Sequence, residues 1–362
     1  MLKIKKLLPG YQPLCYVENK VLLAKNKRLF LCDGNLENIR FLCEFPVSYI
    51  EKCAAKFRLL SRIFRLQFRY ALNVLDKFVL LVFRNEIWKV NLETCEVTLD
   101  FIIPDNRTAL YLTLAENKNG HPSRVIFGEY FSNPDKGIVR IWGAELESSL
   151  DWQVLHEFEQ HEINHIHNII YDKNNDNLYI LTGDFGDGAG IWMSNSALTN
   201  VVPIVRGKQV YRACWALIRD TGLTYATDTQ LEENAICRLV DGHLTRSETI
   251  EGSSIYFGEN RTSLYFSTTV EPGEPSGNFL VDLFSRKLGR GVLSEKANIY
   301  SLDGKNSISI EFQGLKDMLP PRLAQFGSFT FPSGVSNNKD IIAYGVALES
   351  FDGCCILLGE EC

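Results

Sequence analysis

Short apolar runs separated by polar turns fill almost the whole chain. Runs such as KVLLA (20–24), KFVLLVF (77–83) and SLYFSTTV (263–270) are followed by Gly, Asn or Asp. Runs of this length between turn residues are typical of β-strands. Only residues 50–62 (IEKCAAKFRLLSR) have a pattern that favours a short helix instead. The helices that a βαβ architecture places between its strands are otherwise almost absent, so the pattern predicts an all-β protein.

The predicted strands repeat in groups of four. An acidic residue stands at or just past the end of the second strand in successive groups, as Glu129, Asp184, Asp228 and Glu271, with separations of 55, 44 and 43 residues. A four-stranded repeat of about 40–50 residues is typical of a β-propeller blade. We therefore predict a single domain over residues 1–362, a six- or seven-bladed β-propeller. With seven blades, KIKKLL near the N-terminus would supply the outer strand of the last blade and close the ring.

A hairpin at residues 161–192 carries the densest group of reactive side chains. In the first strand His165 and His167 lie on one face, because side chains alternate in an extended chain. Residues 172–177 form a polar turn, and the second strand ends at Gly183 and Asp184. Since the strands of a hairpin are antiparallel, Asp184 is predicted to lie beside the two histidines.

First strands start, and second strands end, at the same mouth of a propeller channel. His165, Tyr211 and Arg212, together with Arg62 and Arg65, should therefore face the four acids. Such a surface can supply a general acid, a general base and an anion anchor. The candidate catalytic residues are His165, Asp184, Glu129 and Asp228, and the candidate substrate-binding residues are His167, Arg212, Gln209, Glu271, Arg62 and Arg65. The alternative is structural: such acids cap turns, and Arg212 forms a salt bridge to Asp184 or Asp228.

The histidine pair has several interpretations. Two histidines at positions i and i+2 of a strand can chelate a metal, with Asp184, His161 or Glu129 completing the shell. However, a third histidine at a motif-like spacing is missing. We therefore assign no metal ligand and predict no cofactor, and favour an acid–base, sugar-binding or structural role. His165 and Asp184 would act as a pair in either the acid–base or the metal version.

Charge and cysteine content narrow the class of protein. The net charge of −6 argues against a nucleic-acid partner, since nucleic-acid-binding surfaces are normally basic. No run reaches the roughly 18 apolar residues of a membrane span. Ten cysteines occur without a CxxC pair, mostly within apolar runs, and the N-terminal residues lack the features of a signal peptide. We expect a cytoplasmic protein with reduced cysteines, of unknown oligomeric state.

Two segments resemble degenerate Asp-boxes, the S-x-D-x-G-x-T-W hairpins of sialidase-like (BNR-repeat) propellers. In the first, Trp152 is kept, Glu147 takes the place of the aspartate, and Ser149 and Asp151 take those of Gly and Thr. In the second, IWMSNSALTNVVPIV, Ser194 is matched. Residues 125–271 also resemble an uncharacterised sialidase-like group associated with bacterial surface-polysaccharide clusters.

This resemblance implies a sialidase-like propeller that acts on carbohydrate. The expected function is cleavage of an acidic surface glycan or its precursor, by glycoside hydrolase or lyase chemistry at the central mouth. The arginine triad, Tyr/Glu nucleophile and Asp acid of true sialidases are not identified in this sequence. The alternative is therefore a non-catalytic propeller that binds a glycan or serves as a scaffold.

Overall fold

The computed structural model is a ring of seven blades around a central channel. It describes residues 1–116, 122–146, 150–219, 222–303 and 307–361. Strands form 51% of the chain and helices 9%. The prediction of an all-β propeller is confirmed, and the number of blades is seven.

Each blade contains four antiparallel strands, which follow one another along the chain except in the last blade, and the short strand β27 (Val335–Ser336) adds a fifth, parallel strand to blade 6. The chain begins with β1 (Lys3–Pro9). Blade 1 contains β2 (Gln12–Val17), β3 (Lys20–Lys25), β4 (Arg28–Asp33) and β5 (Arg40–Glu44); blade 2 contains β6 (Tyr70–Val74), β7 (Phe78–Phe83), β8 (Glu86–Asn91) and β9 (Val97–Ile102); blade 3 contains β10 (Thr113–Ala115), β11 (Arg124–Gly128), β12 (Val139–Glu145) and β13 (Gln153–Phe158). Blade 4 contains β14 (His165–Asp172), β15 (Asn177–Gly183), β16 (Gly190–Asn195) and β17 (Val202–Arg206); blade 5 contains β18 (Leu217–Arg219), β19 (Gly222–Ala226), β20 (Asn234–Val240) and β21 (His243–Ile250); blade 6 contains β22 (Ser253–Asn260), β23 (Leu264–Thr269), β24 (Lys296–Leu302) and β25 (Ile308–Leu315). The last strands are β26 (Ser328–Thr330), β27 (Val335–Ser336), β28 (Ile341–Val346) and β29 (Cys354–Gly359).

The seventh blade is built from both ends of the chain. Its strand order is β26, β28, β29 and β1. Strand β1 pairs antiparallel with β29, with Lys3 opposite Gly359 and Pro9 opposite Cys354. The prediction that KIKKLL supplies the outer strand of the last blade is therefore confirmed.

The core consists of apolar layers between neighbouring blades. The second strand of a blade is covered on both faces, which explains the continuous apolar run FVLLVF in β7. Between blades 1 and 2, the ring of Phe45 packs edge-to-face on Phe68 and Phe83, with centroids 4.8 and 5.5 Å apart. Outer strands such as β21 are largely exposed and read HLTRSETI. The inner strands of a blade are therefore mostly apolar, and the outer strands are mostly polar.

Two short helices precede blade 2, where the sequence favoured a helix over strand. They are α1 (Tyr49–Ala55) and α2 (Arg58–Ile63), and Ser48 and Glu51 form a capping box at the start of α1. Because β6 begins only at Tyr70, Arg62 lies on α2 rather than at the start of a first strand. The predicted strand start at Arg62 and Arg65 is thus wrong. Two further short helices are α3 (Phe279–Phe284) and α4 (Pro321–Ala324).

The central channel forms a cavity of about 410 Å³. Residues 331–336, between β26 and β28, cross one end of it. Ser333 hydrogen-bonds through its backbone to Leu14 and Tyr16 of β2, and β27 pairs with the end of β22. The segment thus gives the channel a floor. Among the residues that the structure describes, no helix has the length and apolarity needed to cross a membrane.

The repeat of acidic residues is present as predicted. Glu129 and Asp184 directly follow the second strands β11 and β15, and Asp228 and Glu271 come two residues after β19 and β23. Of the Asp-box positions, Trp152 directly precedes β13 and Ser194 lies in β16. Glu147 and Ser149 lie outside the residues that the structure describes.

Candidate functional site

The hairpin of β14 and β15 positions the two histidines beside Asp184. His165 pairs with Gly183, and the register shifts between Ile166 and Asn168, so His167 bulges from the ladder. A Cβ atom at Gly183 would lie 2.4 Å from Cε1 and Nε2 of His167. The glycine therefore lets the imidazole lie directly over the backbone of the return strand.

Three acceptor atoms converge at the end of this hairpin. Nε2 of His165 lies 3.0 Å from Nε2 of His167, and these atoms lie 3.3 and 3.4 Å from Oδ1 of Asp184. The two imidazoles are almost fully buried, whereas the Asp184 side chain is 26% exposed. The structure thus brings together the three residues that the hairpin argument joined. We call His165, His167 and Asp184 the histidine cluster.

Backbone carbonyl groups fix the tautomers of both histidines. Nδ1 of His165 lies 2.9 Å from the carbonyl oxygen of Phe131, and Nδ1 of His167 lies 3.0 Å from that of Ala213. Because a carbonyl oxygen only accepts, each Nδ1 must carry a hydrogen. Burial lowers the pKa of His165, although Asp184 opposes the shift. A neutral histidine with Nδ1–H presents its Nε2 lone pair to the cluster.

Arg212 joins the histidine cluster to a second carboxylate. Its Nη2 lies 3.0 Å from Oδ1 of Asp184 and 3.3 Å from Oδ2 of Asp228. Burial raises the pKa of Asp184, but the guanidinium of Arg212 and the contacts of His165 and His167 together outweigh burial and hold that pKa well below its usual range. Cys214 Sγ donates to Oδ2 of Asp228 at 3.3 Å. Asp228 Oδ1 and Arg212 Nε are buried without a hydrogen-bond partner among the described residues.

Glu271 completes the charged group from blade 6. Thr269 Oγ1 donates to its Oε1 at 2.8 Å. Burial, together with the negative charge of Asp228, raises the pKa of Glu271 to about 7, and Arg212 only partly offsets this. Between about pH 4.5 and pH 7, the folded protein therefore keeps a proton on Glu271 that the unfolded chain releases.

The raised pKa predicts how stability depends on pH. As pH rises from about 4.5 to about 7, the folded state loses stability relative to the unfolded state, because only the unfolded chain ionises freely. Glu271→Gln should remove this loss. We expect the variant to equal the wild type at pH 4 and to be more stable by about 3 kcal/mol at pH 8, since each unit of pKa corresponds to about 1.4 kcal/mol. Urea unfolding of both proteins in metal-free buffer at pH 4 and pH 8 measures this difference. If the free energy of unfolding differed between the two proteins by the same amount at both pH values, the raised pKa would be contradicted.

Two predicted site residues lie elsewhere. The carboxylate of Glu129 is fully buried, forms an ion pair with Arg107, and accepts from Trp142 Nε1 at 3.0 Å. Arg62 is buried against Asp317 and Asp352, at 2.5 and 3.3 Å. Both side chains are engaged within the scaffold and do not reach the histidine cluster.

Gln209 holds the backbone at the cluster. Its Nε2 donates to the carbonyl oxygen of Asp184 at 2.8 Å, and its Oε1 accepts from Thr229 Oγ1 at 2.8 Å. Gln209 belongs to a short 3-10 turn that ends directly before Arg212. Gln209 therefore ties the segment that carries Arg212 to the backbone of Asp184, which lies in a different loop.

The channel beside the cluster contains two arginines, Arg65 and Arg69. Both are exposed to the channel, and neither forms an ion pair with any residue that the structure describes. Burial lowers the pKa of Arg69, and the nearby Arg65 adds to this shift. Arg65 was a sequence candidate, whereas Arg69 was missed. Its position directly before β6 was the available signal, but that strand start was misplaced.

Tyr130 lies between the channel arginines and the histidine cluster. Its ring centroid is 4.4 Å from that of His165 and 5.8 Å from Cζ of Arg69. On the opposite wall, Tyr111 donates its hydroxyl to the carbonyl oxygen of Ile255 at 2.6 Å and links blades 3 and 6. Tyr130 thus connects the histidine cluster to the channel arginine Arg69.

Comparisons with known proteins identify the architecture. No protein-family model matches the chain, and no curated protein matches it. Among solved structures, the extracellular domain of a one-component system from B. thetaiotaomicron aligns over 99% of this chain and 40% of its own, with a TM-score of 0.54 and 11% identity. The AfRom2 CNH domain aligns over 100% and 97%, with a TM-score of 0.54 and 7% identity. A chain of the mitotic checkpoint complex aligns over 98% of this chain and 94% of its own, with a TM-score of 0.54 and 9% identity.

These neighbours support the propeller fold alone. Their sequence identities, between 7% and 11%, are too low to transfer a ligand or an activity. Evidence for function must therefore come from the side chains of the channel and of the histidine cluster.

Proposed function

We propose that the central channel binds an acidic carbohydrate. The observation that carries this proposal is the pair of channel arginines, Arg65 and Arg69, which have no carboxylate partner among the described residues. In the free protein the two neighbouring guanidinium groups repel each other. A ligand carboxylate or sulfate would supply the missing charge, and a guanidinium binds such groups through two parallel hydrogen bonds.

The other channel side chains suit a sugar. Tyrosines present both a ring face for stacking and a hydroxyl group, and amide side chains can bind sugar hydroxyls. The lining includes Tyr70, Tyr111, Tyr256, Tyr344, Gln12, Gln67 and Gln325. The carbonyl oxygen Oε1 of Gln325 is buried without a hydrogen-bond partner among the described residues. The volume of about 410 Å³ lies within the usual range for small-ligand sites.

The sialidase-like resemblance and the cysteines extend the proposal. The resemblance of residues 125–271 to a sialidase-like group favours an acidic surface glycan, or its precursor, as the ligand. The nine cysteines among the described residues are free: six are buried, and Cys53, Cys95 and Cys354 are half-buried. Free thiols favour a reducing compartment, so we infer a cytoplasmic protein that meets a precursor rather than a finished surface polymer.

Cleavage of the bound glycan is a second candidate function. It is favoured by the partial exposure of Asp184 beside two buried histidines, with Tyr130 alone separating His165 from the Arg69 region. In this version, His165 and Asp184 would serve hydrolysis or elimination as an acid–base pair, and Asp228 would hold Arg212 in place.

Binding is tested with matched oligosaccharides. Isothermal titration should detect a uronate-containing oligosaccharide, and Arg69→Met should weaken its binding about 10–100-fold, as loss of one charge-assisted contact implies. Arg65→Met should act in the same direction. Arg290→Ala is the control, because Arg290 is an exposed surface residue whose side chain is 81% accessible. The matched neutral oligosaccharide has the same sugar units without the carboxylate. The proposal would be contradicted if this neutral oligosaccharide bound as tightly as the uronate, or if neither channel variant weakened uronate binding.

Turnover separates the two candidates. If the channel cleaves its ligand, new reducing ends or an unsaturated product should appear, and Asp184→Asn should abolish them while binding persists. If the protein only binds, no product appears and Asp184→Asn leaves the affinity unchanged.

A further inference from the structure

We propose that the histidine cluster binds one divalent transition-metal ion, for which Zn²⁺ is a suitable probe. The ligands would be Nε2 of His165, Nε2 of His167 and a carboxylate oxygen of Asp184. This site is separate from the channel arginines, and the inference does not depend on what the channel binds.

The first argument is the direction of the lone pairs. Since both Nδ1 atoms donate to backbone carbonyls, both Nε2 atoms are acceptors in the neutral rings. They lie 3.0 Å apart and face the carboxylate of Asp184. Three acceptors at this distance repel one another unless a positive centre lies among them. Backbone acceptors behind each imidazole are also the usual arrangement for metal-binding histidines.

The second argument is the spacing of the donor atoms. They are 3.0, 3.3 and 3.4 Å apart. For metal–ligand bonds of about 2.0–2.1 Å, ligand atoms lie roughly 3.3–3.4 Å apart in a tetrahedral site and roughly 3.0 Å apart on a face of an octahedral one. One ion can therefore bond all three atoms at normal lengths with little movement of the side chains. Two histidines and a carboxylate are a donor set that suits zinc and its neighbours in the first transition row.

The third argument is charge. Two carboxylates, Asp184 and Asp228, share one guanidinium, that of Arg212. With neutral imidazoles, the group has more acidic than basic members. Oδ1 of Asp228 is in addition buried without a partner among the described residues. A cation in the histidine cluster would balance this excess.

The exposed side of Asp184 leaves room for a further ligand. The imidazoles are buried, whereas the Asp184 side chain is 26% exposed. The fourth position of a tetrahedral ion would thus lie on the side of Asp184 and hold water or a group of a bound molecule. The rival occupant is a proton shared by the two Nε2 atoms, which would make one ring an imidazolium.

Zinc binding by the purified full-length chain tests the proposal. After treatment with a chelator and dialysis, titration calorimetry with ZnCl₂ should give one ion per chain, and zinc should raise the melting temperature. His165→Gln and Asp184→Asn should each weaken binding by at least about 100-fold, more than loss of an outer-shell contact does. His243→Gln is the matched control: His243 is exposed, and its Nδ1 also lies 3.0 Å from a backbone carbonyl oxygen. The His243→Gln variant should bind zinc with the affinity of the wild type.

A second variant keeps all three ligands. Gly183→Ala would place a methyl group 2.4 Å from the His167 ring and push that ring out of line. Zinc affinity should fall about 10–100-fold, while circular dichroism stays that of a folded propeller. Cobalt substitution should give the intense visible absorption of a tetrahedral site in the wild type and lose it in Gly183→Ala.

The overturning results are equally specific. Failure of stoichiometric zinc to bind the folded wild type would refute the site, as would binding that all three variants leave unchanged. A shared proton is diagnosed by ¹⁵N NMR, where one imidazolium signal would persist after zinc is added. That result would assign the positive centre to a proton and refute the metal.

Discussion

Arg62→Met is expected to lower the free energy of unfolding by about 3–5 kcal/mol, the usual effect of breaking a buried ion pair from one side. The Arg62 side chain is 3% exposed and lies 2.5 Å from Asp317 and 3.3 Å from Asp352. It also donates to the carbonyl oxygen of Ala324 in α4. The substitution would remove the one cation that both carboxylates share where α2 meets blade 7, and leave Asp352 with Arg58 and Asp317 with Lys316.

Denaturant unfolding measures this effect. The matched control is Arg246→Met, because the ion pair of Arg246 with Glu233 is 2.9 Å long but exposed, with side chains 42% and 54% accessible. Exposed pairs contribute about 0–1 kcal/mol. The double variant with Asp317→Asn should be less destabilised than the sum of its single changes, because the two residues interact. A loss at Arg62 no larger than at Arg246 would contradict the structural assignment.

Deletion of residues 1–9 is expected to have an effect of similar size. It removes β1, whose ladder with β29 pairs six residues by register. At about 0.5–1 kcal/mol for each pair, the loss is on the order of 3–6 kcal/mol. Deletion also exposes the long edge of β29, which can pair with another molecule.

Thermal unfolding and light scattering test this prediction together. The melting temperature should fall, and aggregation should begin at lower temperature than in the full chain. Lys5→Ala is the control, since it removes the exposed, 2.8 Å contact of Lys5 with Asp340 and keeps β1 in the chain, and it should change stability by less than about 1 kcal/mol. An unchanged melting temperature after the deletion would show that the ring does not depend on β1.

The sequence contained enough information for the architecture. Strands of a propeller blade are covered on both faces by neighbouring blades, so their apolar runs are continuous and visible, as in β7. The position of Asp184 beside the histidines could also be predicted, because a hairpin is a local structure with a fixed register.

The residues that the sequence misplaced depend on contacts between distant segments. The apolar run around residues 62–74 is compatible with a strand, but its first part packs as α2 against α4 and blade 7. The position of Arg62 followed from that packing and was not visible locally. The bulge at His167 and the channel position of Arg69 likewise depend on the closed ring. A strict alternation of side chains predicts the common face of the histidines but not the 3.0 Å approach of their nitrogens.

The seventh blade also determines when the channel can exist during synthesis. Lys5 and Asp340 are 335 residues apart in sequence, so β1 emerges from the ribosome long before its partner β29 is made. The segment that forms the channel floor, residues 331–336, is translated almost as late. Long-range pairing of this kind is slow and leaves intermediates exposed. A ribosome-stalled chain that ends before blade 7 should therefore lack the ligand cavity, and channel binding would report completion of the nascent protein.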